Sequence, residues 1–193
     1  MDEQDTVGGI NLSHHETVGD WAAVRAAGVR FASITITEGM NWTDSAACKQ
    51  LGLAQRVGMH TGARHFARPG AAGEQAEHFV RTSRPLGAFA PGALAPALDV
   101  RVAAVDDRFI RSWIKAVRGA SQLRRVLVYA GYDDWLHRLR PGKWVDDEVM
   151  LWLTRHNGIP GRPGWFHSRL SLHQHEPGRD AIVYPFTLAD LLL

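Results

Sequence analysis

The sequence holds a single cysteine, Cys48, so no internal disulfide can staple it. At 193 residues it needs none, since a domain of this length buries about 70% of the surface its unfolded chain exposes. Cys48 falls in a helix-like segment and reads as a buried structural thiol. Long apolar runs are also missing. Nothing approaches the roughly 18–20 apolar residues of a spanning helix, which argues against membrane insertion. The opening Met1-Asp2-Glu3-Gln4-Asp5 is acidic and leads into no apolar stretch, so the chain reads as made in the cytoplasm without a signal peptide. Basic runs are absent too: Lys and Arg are scattered among Asp and Glu, and the formal net charge is only +2. With no nucleic-acid motif either, a nucleic-acid partner is not expected. No repeat, low-complexity tract or linker divides the chain, and residues 1–193 read as one domain.

What is present is an alternation of short β-branched runs with helical periodicity. Strands are predicted at 7–11, 29–36, 57–65, 93–100, 125–129, 149–154, 170–174 and 181–184. Helices are predicted at 17–27, 44–56, 71–82 and 106–117, with Asp44 as an N-cap. Such alternation indicates an α/β fold with a mostly parallel sheet. Eight strands whose last part lacks full helices suggest a closed TIM-like (β/α) barrel of the (β/α)5β3 type, with an open doubly wound sheet as the alternative. In barrels, chemistry gathers at the C-terminal ends of strands. That directs attention to Asn11, Glu38, His65, Asp99, Arg101, Tyr129, Trp152, Gln174 and Asp180.

Several segments together resemble glycoside hydrolase family 25, the muramidases and lysozymes. Gly9-Ile10-Asn11-Leu12-Ser13 is similar to that family's Gly-Ile-Asp-Val-Ser opening, followed by Asp20-Trp21. Thr37-Glu38-Gly39 resembles its Thr-Glu-Gly loop. Gly62-Ala63-Arg64-His65-Phe66-Ala67-Arg68-Pro69 is close to Gly-Ala-Tyr-His-Phe-Ala-Arg-Pro. Pro96-Ala97-Leu98-Asp99-Val100-Arg101 stands where the family has Pro-Ala-Leu-Asp-Leu-Glu. Val128-Tyr129-Ala130-Gly131, Leu151-Trp152-Leu153 and the ending from Asp180 to Leu191 continue the likeness over nearly the whole chain.

Glycoside hydrolysis normally takes two carboxyl groups, one of them a proton donor. The resemblance implies acids at four places, which here read Asn11, Asp99, Arg101 and Asp180. The proton donor of the family corresponds to Arg101. A guanidinium stays charged up to a pKa above about 12 and cannot cycle a proton near neutrality. An arginine beside a carboxyl group also favours the ionised carboxylate, the opposite of what a general acid requires. Arg101 is therefore expected to pair with Asp99, Asp180 or both. Two aromatic positions have changed as well: Arg64 stands for an expected Tyr, and His173 for an expected Trp.

Three readings follow. The first is a muramidase-like domain that has lost peptidoglycan hydrolysis and binds cell-wall glycan or a protein partner, or serves as a structural part, for instance of a phage particle. His65, Tyr129, Trp152 and Gln174 are its candidate ligand contacts. The second is an active muramidase of endolysin type using Asp99, Asp180 and Glu38, delivered by holin-type lysis. The third is a metal-assisted hydrolase built on His14, His15, His60, His65, His173 and His175, although no metal-ligand spacing is present. No cofactor or metal is expected under the first two.

Overall fold

The computed structural model describes residues 7–14 and 16–193. The acidic opening and His15 lie outside the described residues. Eight strands close into a barrel: β1 (Gly8–Leu12), β2 (Phe31–Glu38), β4 (His60–Phe66), β5 (Ala97–Asp99), β6 (Val126–Gly131), β7 (Val149–Thr154), β8 (Leu170–Glu176) and β9 (Arg179–Ile182). The ring runs β1-β9-β8-β7-β6-β5-β4-β2, and β2 pairs back onto β1. A two-residue strand, β3 (Trp42–Thr43), hangs antiparallel on the end of β2. The open-sheet alternative is thereby excluded.

The six pairings from β1–β2 round to β7–β8 are parallel, but β9 runs antiparallel to both β8 and β1. The cause is local. Only Pro177 and Gly178 separate Glu176 from its partner Arg179, and a two-residue connection makes a hairpin, whereas a parallel return needs a long crossover. The last strand consequently lies at Arg179–Ile182 rather than at 181–184. The fourth predicted strand shrinks to Ala97–Asp99, because residues 93–95 instead bond the chain's end: Leu193 N donates to Ala93 O and Ala95 N to Leu191 O.

The described residues form five α-helices: α1 (Trp21–Ala26), α2 (Ser45–Arg56), α3 (Ala72–Ser83), α4 (Asp107–Ser121) and α5 (Leu188–Leu191). Three begin on aspartates whose carboxylates accept from the first turn, Asp20 from Ala23 N, Asp44 from Ala46 and Ala47 N, and Asp106 from Phe109 N. In α4 the residues Phe109, Ile110, Trp113, Ile114 and Val117 recur at helical spacing and are all buried. They meet Phe79 and Val80 of α3 and the outward residues Ile34, Ile36, Ala63 and Leu98 of the strands.

A second apolar cluster fills the barrel itself, with Phe31, Leu94, Ala97, Leu127, Met150 and Leu172. Leu191 of α5 is fully buried in it and seals the end opposite the strands' C-termini. Gly9 is required by this packing: a Cβ there would lie 2.0 Å from the Phe31 ring. No helix among the described residues is long and apolar enough to cross a membrane.

Candidate functional site

Alternation along the strands decides which polar side chains enter the barrel. At the mouth, which is the C-terminal end of the parallel strands and the N-terminal end of the antiparallel β9, these are Asn11 of β1, Ser33 and Thr35 of β2, Arg64 of β4, Asp99 of β5, Tyr129 of β6, Trp152 of β7, Gln174 of β8 and Asp180 of β9. All are buried. Five of them, Tyr129, Gln174, Asn11, Asp180 and Trp152, form one hydrogen-bonded array, while Arg64 bonds Thr35, Asp99 bonds Arg101 and Ser33 Oγ has no hydrogen-bond partner among the described residues. The Tyr129 hydroxyl donates to Gln174 Oε1 at 2.5 Å. Gln174 Nε2 reaches Asn11 Oδ1 at 3.5 Å, and Asn11 Nδ2 donates to Asp180 Oδ2 at 2.6 Å. The other Asp180 oxygen accepts Trp152 Nε1 at 2.8 Å. Asp180 is thus the terminus of two donor paths. Burial pushes its carboxyl up to about 7, against the pull of those two hydrogen bonds and of the Arg64 charge.

Arg64 lies at the centre of the array and is wholly buried. Its Nε donates to Thr35 Oγ1 at 2.8 Å and its Nη2 to Leu12 O at 3.1 Å, while Nη1 has no protein partner. The guanidinium stands 5.1 Å from the Tyr129 ring centre and 5.4 Å from that of Trp152, within cation–π range of both. Sequence reasoning noted Arg64 only as a departure from an expected tyrosine. The available signal was a lone cation in the otherwise small and apolar run 61–64.

Arg101 covers the array from outside. Its Nε and Nη2 hold the Asp99 carboxylate, at 3.0 Å to Oδ1 and 2.7 Å to Oδ2, and its own backbone N–H adds a bond to Oδ1 at 3.2 Å. The guanidinium also lies 4.7 Å over the Tyr129 ring. Burial works against its charge, but the Asp99 pair outweighs this and holds Arg101 above its ordinary value. The arginine is 38% exposed and Asp99 is 1% exposed, so the cation is the solvent-facing member of the pair. No bond joins Arg101 to Asp180.

Two expected residues lie elsewhere. Glu38 Oε1 is ion-paired to Arg68 Nε at 2.5 Å, and its Oε2 lies 2.8 Å from His14 Nε2. It lines a separate groove with Asn41 and Trp42. His65 points out of the barrel into the helix layer. Its Nδ1 meets Thr37 Oγ1 at 2.8 Å, its Nε2 meets Gln75 Oε1 at 3.1 Å, and its ring stacks on Trp113. Burial lowers it to about 4. An irregularity in β2 produces the Thr37 contact: Thr35 and Thr37 pair with the consecutive residues Arg64 and His65, which turns Thr37 to the outer side.

Among the described residues the candidate histidines do not gather at one place, although His173 and His175 are neighbours with ring centres 6.0 Å apart. His60 bonds Gly92 O near the sealed end, and His173 bonds Arg155 O on the outside of β8. Among the described residues no group of three or more His, Cys, Asp or Glu is placed to hold a metal ion.

Comparison with known proteins agrees with this architecture. The family model for glycosyl hydrolases family 25 matches residues 10–179. A lysozyme M1 from Streptomyces globisporus is 40% identical over 80 residues, which is 39% of this chain and only 27% of that protein. The catalytic domain of endolysin ply40 from bacteriophage P40 of Listeria monocytogenes superposes with a TM-score of 0.77 at 20% identity, covering 98% of each chain. A family GH25 lysozyme from Aspergillus fumigatus gives 0.75 at 21% identity, over 96% of this chain and 97% of that one. The match to the family model spans most of the barrel, and the chain belongs to glycosyl hydrolases family 25.

Proposed function

We propose that this member of the family does not hydrolyse peptidoglycan and acts as a wall-binding domain on a lysozyme barrel. The observation that carries the reading is the Arg101–Asp99 ion pair. Where the family's likeness calls for a protonated carboxyl group two residues beyond the aspartate, a permanent cation grips that aspartate through two nitrogens. Such a pair neither donates a proton to a leaving oxygen nor leaves the Asp99 carboxylate free to stabilise a developing positive charge. Asn11 supports the same reading, since an amide there spends its N–H on Asp180 in place of carrying charge. Losing a general acid costs on the order of 10²–10⁴ in rate. Tyr129, Trp152 and Gln174 then serve as the rigid floor of the mouth, because each is buried and bonded within the array.

One observation favours a second reading, an active muramidase of endolysin type using Asp99, Asp180 and Glu38. Asp180, near 7, carries a proton in mildly acidic solution. Against this, it is 2% exposed with both oxygens engaged, and Glu38 is held in another groove.

The test is release of reducing ends from purified peptidoglycan, beside sedimentation of the protein with the same walls. The expected result is co-sedimentation without release. Release by the parent protein that disappears in Asp99→Asn would overturn the reading and establish the second one.

A further inference from the structure

A second groove lies on the barrel's flank, where the loop leaving β5 enters α4 and meets the turn after β6. It has a volume of about 380 Å³ and is lined by Asp106, Asp107, Arg108, Arg111, Arg138 and Lys143, with Trp144 beneath. A smaller trough continues it across Asp106 and Arg108 towards Pro69 and Gly70. The two carboxylates are committed internally. Asp106 caps the Phe109 N–H, and Asp107 accepts Trp144 Nε1 at 2.8 Å and Arg140 N at 2.9 Å. Three of the four cations are not. Arg108, Arg111 and Lys143 are exposed, and none has an ion pair among the described residues. Exposed Lys115, one turn beyond Arg111, and exposed Arg140 extend the positive surface.

Arg138 joins this groove to the barrel mouth. It pairs with Asp134 at 2.8 Å and donates to the carbonyls of Val100, at 2.6 Å, and Val105. It therefore anchors both ends of the loop that carries Arg101. The loop that carries Arg101 is thus held by a residue that also lines the groove.

We propose that this groove binds an anionic, phosphodiester-bearing polymer of the cell wall. The inference rests on the wall-binding reading and names the component bound. Several cations spaced along an open trough suit a chain of repeated negative charges better than a single small anion, because each neutralised charge adds counterion release. Nucleic acid carries the same charges, but base recognition also uses aromatic platforms. The rings along it, Trp144 and Phe109, are each only 8% exposed, and Trp144 has its N–H tied to Asp107.

The experiment measures affinity for a defined poly(glycerol phosphate) chain at 50 and 200 mM salt. A neutral chitooligosaccharide and a single-stranded DNA of equal charge serve as comparisons, and the variant carries Arg108→Gln, Arg111→Gln and Lys143→Gln. The expected result is salt-sensitive binding of the phosphate polymer, weakened about tenfold or more in the variant, with a shallower salt dependence. No binding by the parent, unchanged affinity in the variant, or DNA bound as tightly as the phosphate polymer would each overturn the proposal. Arg111→Gln alone, on the exposed face of α4, must show a smaller loss of the same sign should the triple variant fail to fold. Peptidoglycan hydrolysis by the parent would overturn the reading of lost activity and leave this binding result standing.

Discussion

The Arg101 guanidinium and the Asp99 carboxylate form a two-nitrogen ion pair in which the aspartate is buried and the arginine faces solvent. Two residues of one strand end, adjacent on the same side, have become mutually satisfying rather than jointly reactive. The expected consequence is that the scaffold is disabled at one position.

Arg101→Glu replaces the pair by two neighbouring carboxyl groups, one of which holds its proton to higher pH because both cannot readily ionise. This variant should release reducing ends from peptidoglycan, with activity falling as pH rises through that group's titration. Arg101→Gln removes the cation without supplying an acid and should remain inactive. Equal activity in the two variants would show that a carboxyl group at residue 101 is not what is missing.

Two buried groups should act on stability with opposite signs. Asp180 is raised from 3.8 to about 7, so between those values the folded state holds a proton that the unfolded chain has lost, and stability falls as pH rises. His65 is lowered from 6.5 to about 4, so in that window the unfolded chain holds the extra proton and stability rises with pH. His167, His173 and His175 are lowered by burial as well and add to the rise, so the variants are read against the parent. Between pH 4.5 and 6.5, Asp180→Asn should make the melting temperature rise more steeply with pH than in the parent, and His65→Gln less steeply. Parallel profiles for the two variants would refute this.

Arg64 offers a contrast between charge and volume. Arg64→Met keeps most of the side chain's bulk and removes a buried cation with an unpartnered nitrogen, so stability should be near the parent's or higher. Arg64→Ala leaves a cavity and should cost about 2–4 kcal/mol in urea unfolding. In the methionine variant Asp180 loses the cation that draws it down, so its carbon-13 titration midpoint should move above the parent's. A midpoint that moves down would show that Arg64 does not act on Asp180 through its charge.

Gly9→Ala should destabilise the barrel by about 1–3 kcal/mol, because the added methyl meets the Phe31 ring inside a filled core. Chemical denaturation checks this, and an unchanged midpoint would mean that Phe31 has room to turn.

Much of the fold was legible in the sequence because its signals are local. Aspartate caps, the apolar spacing of α4 and the β-branched strand runs each depend on neighbours within a turn or two. The motif order from Gly9 to Leu191 carried the family likeness and marked Asn11 and Arg101 as departures, since these can be read by position alone. Tertiary structure decided the rest. The Asn11–Gln174 contact spans 163 residues and exists only because β9 closes the ring between β1 and β8. The antiparallel course of β9 depends on how a two-residue turn is met by strands distant in sequence. Arg64 and His65 are adjacent in the chain, yet one enters the barrel and the other packs under α3 and α4. Glu38 ends β2 rather than standing on the loop beyond it, and Arg68 and His14 draw it into a separate groove. Sequence determined which chemical groups the barrel carries, whereas strand pleat and ring closure decided which of them meet.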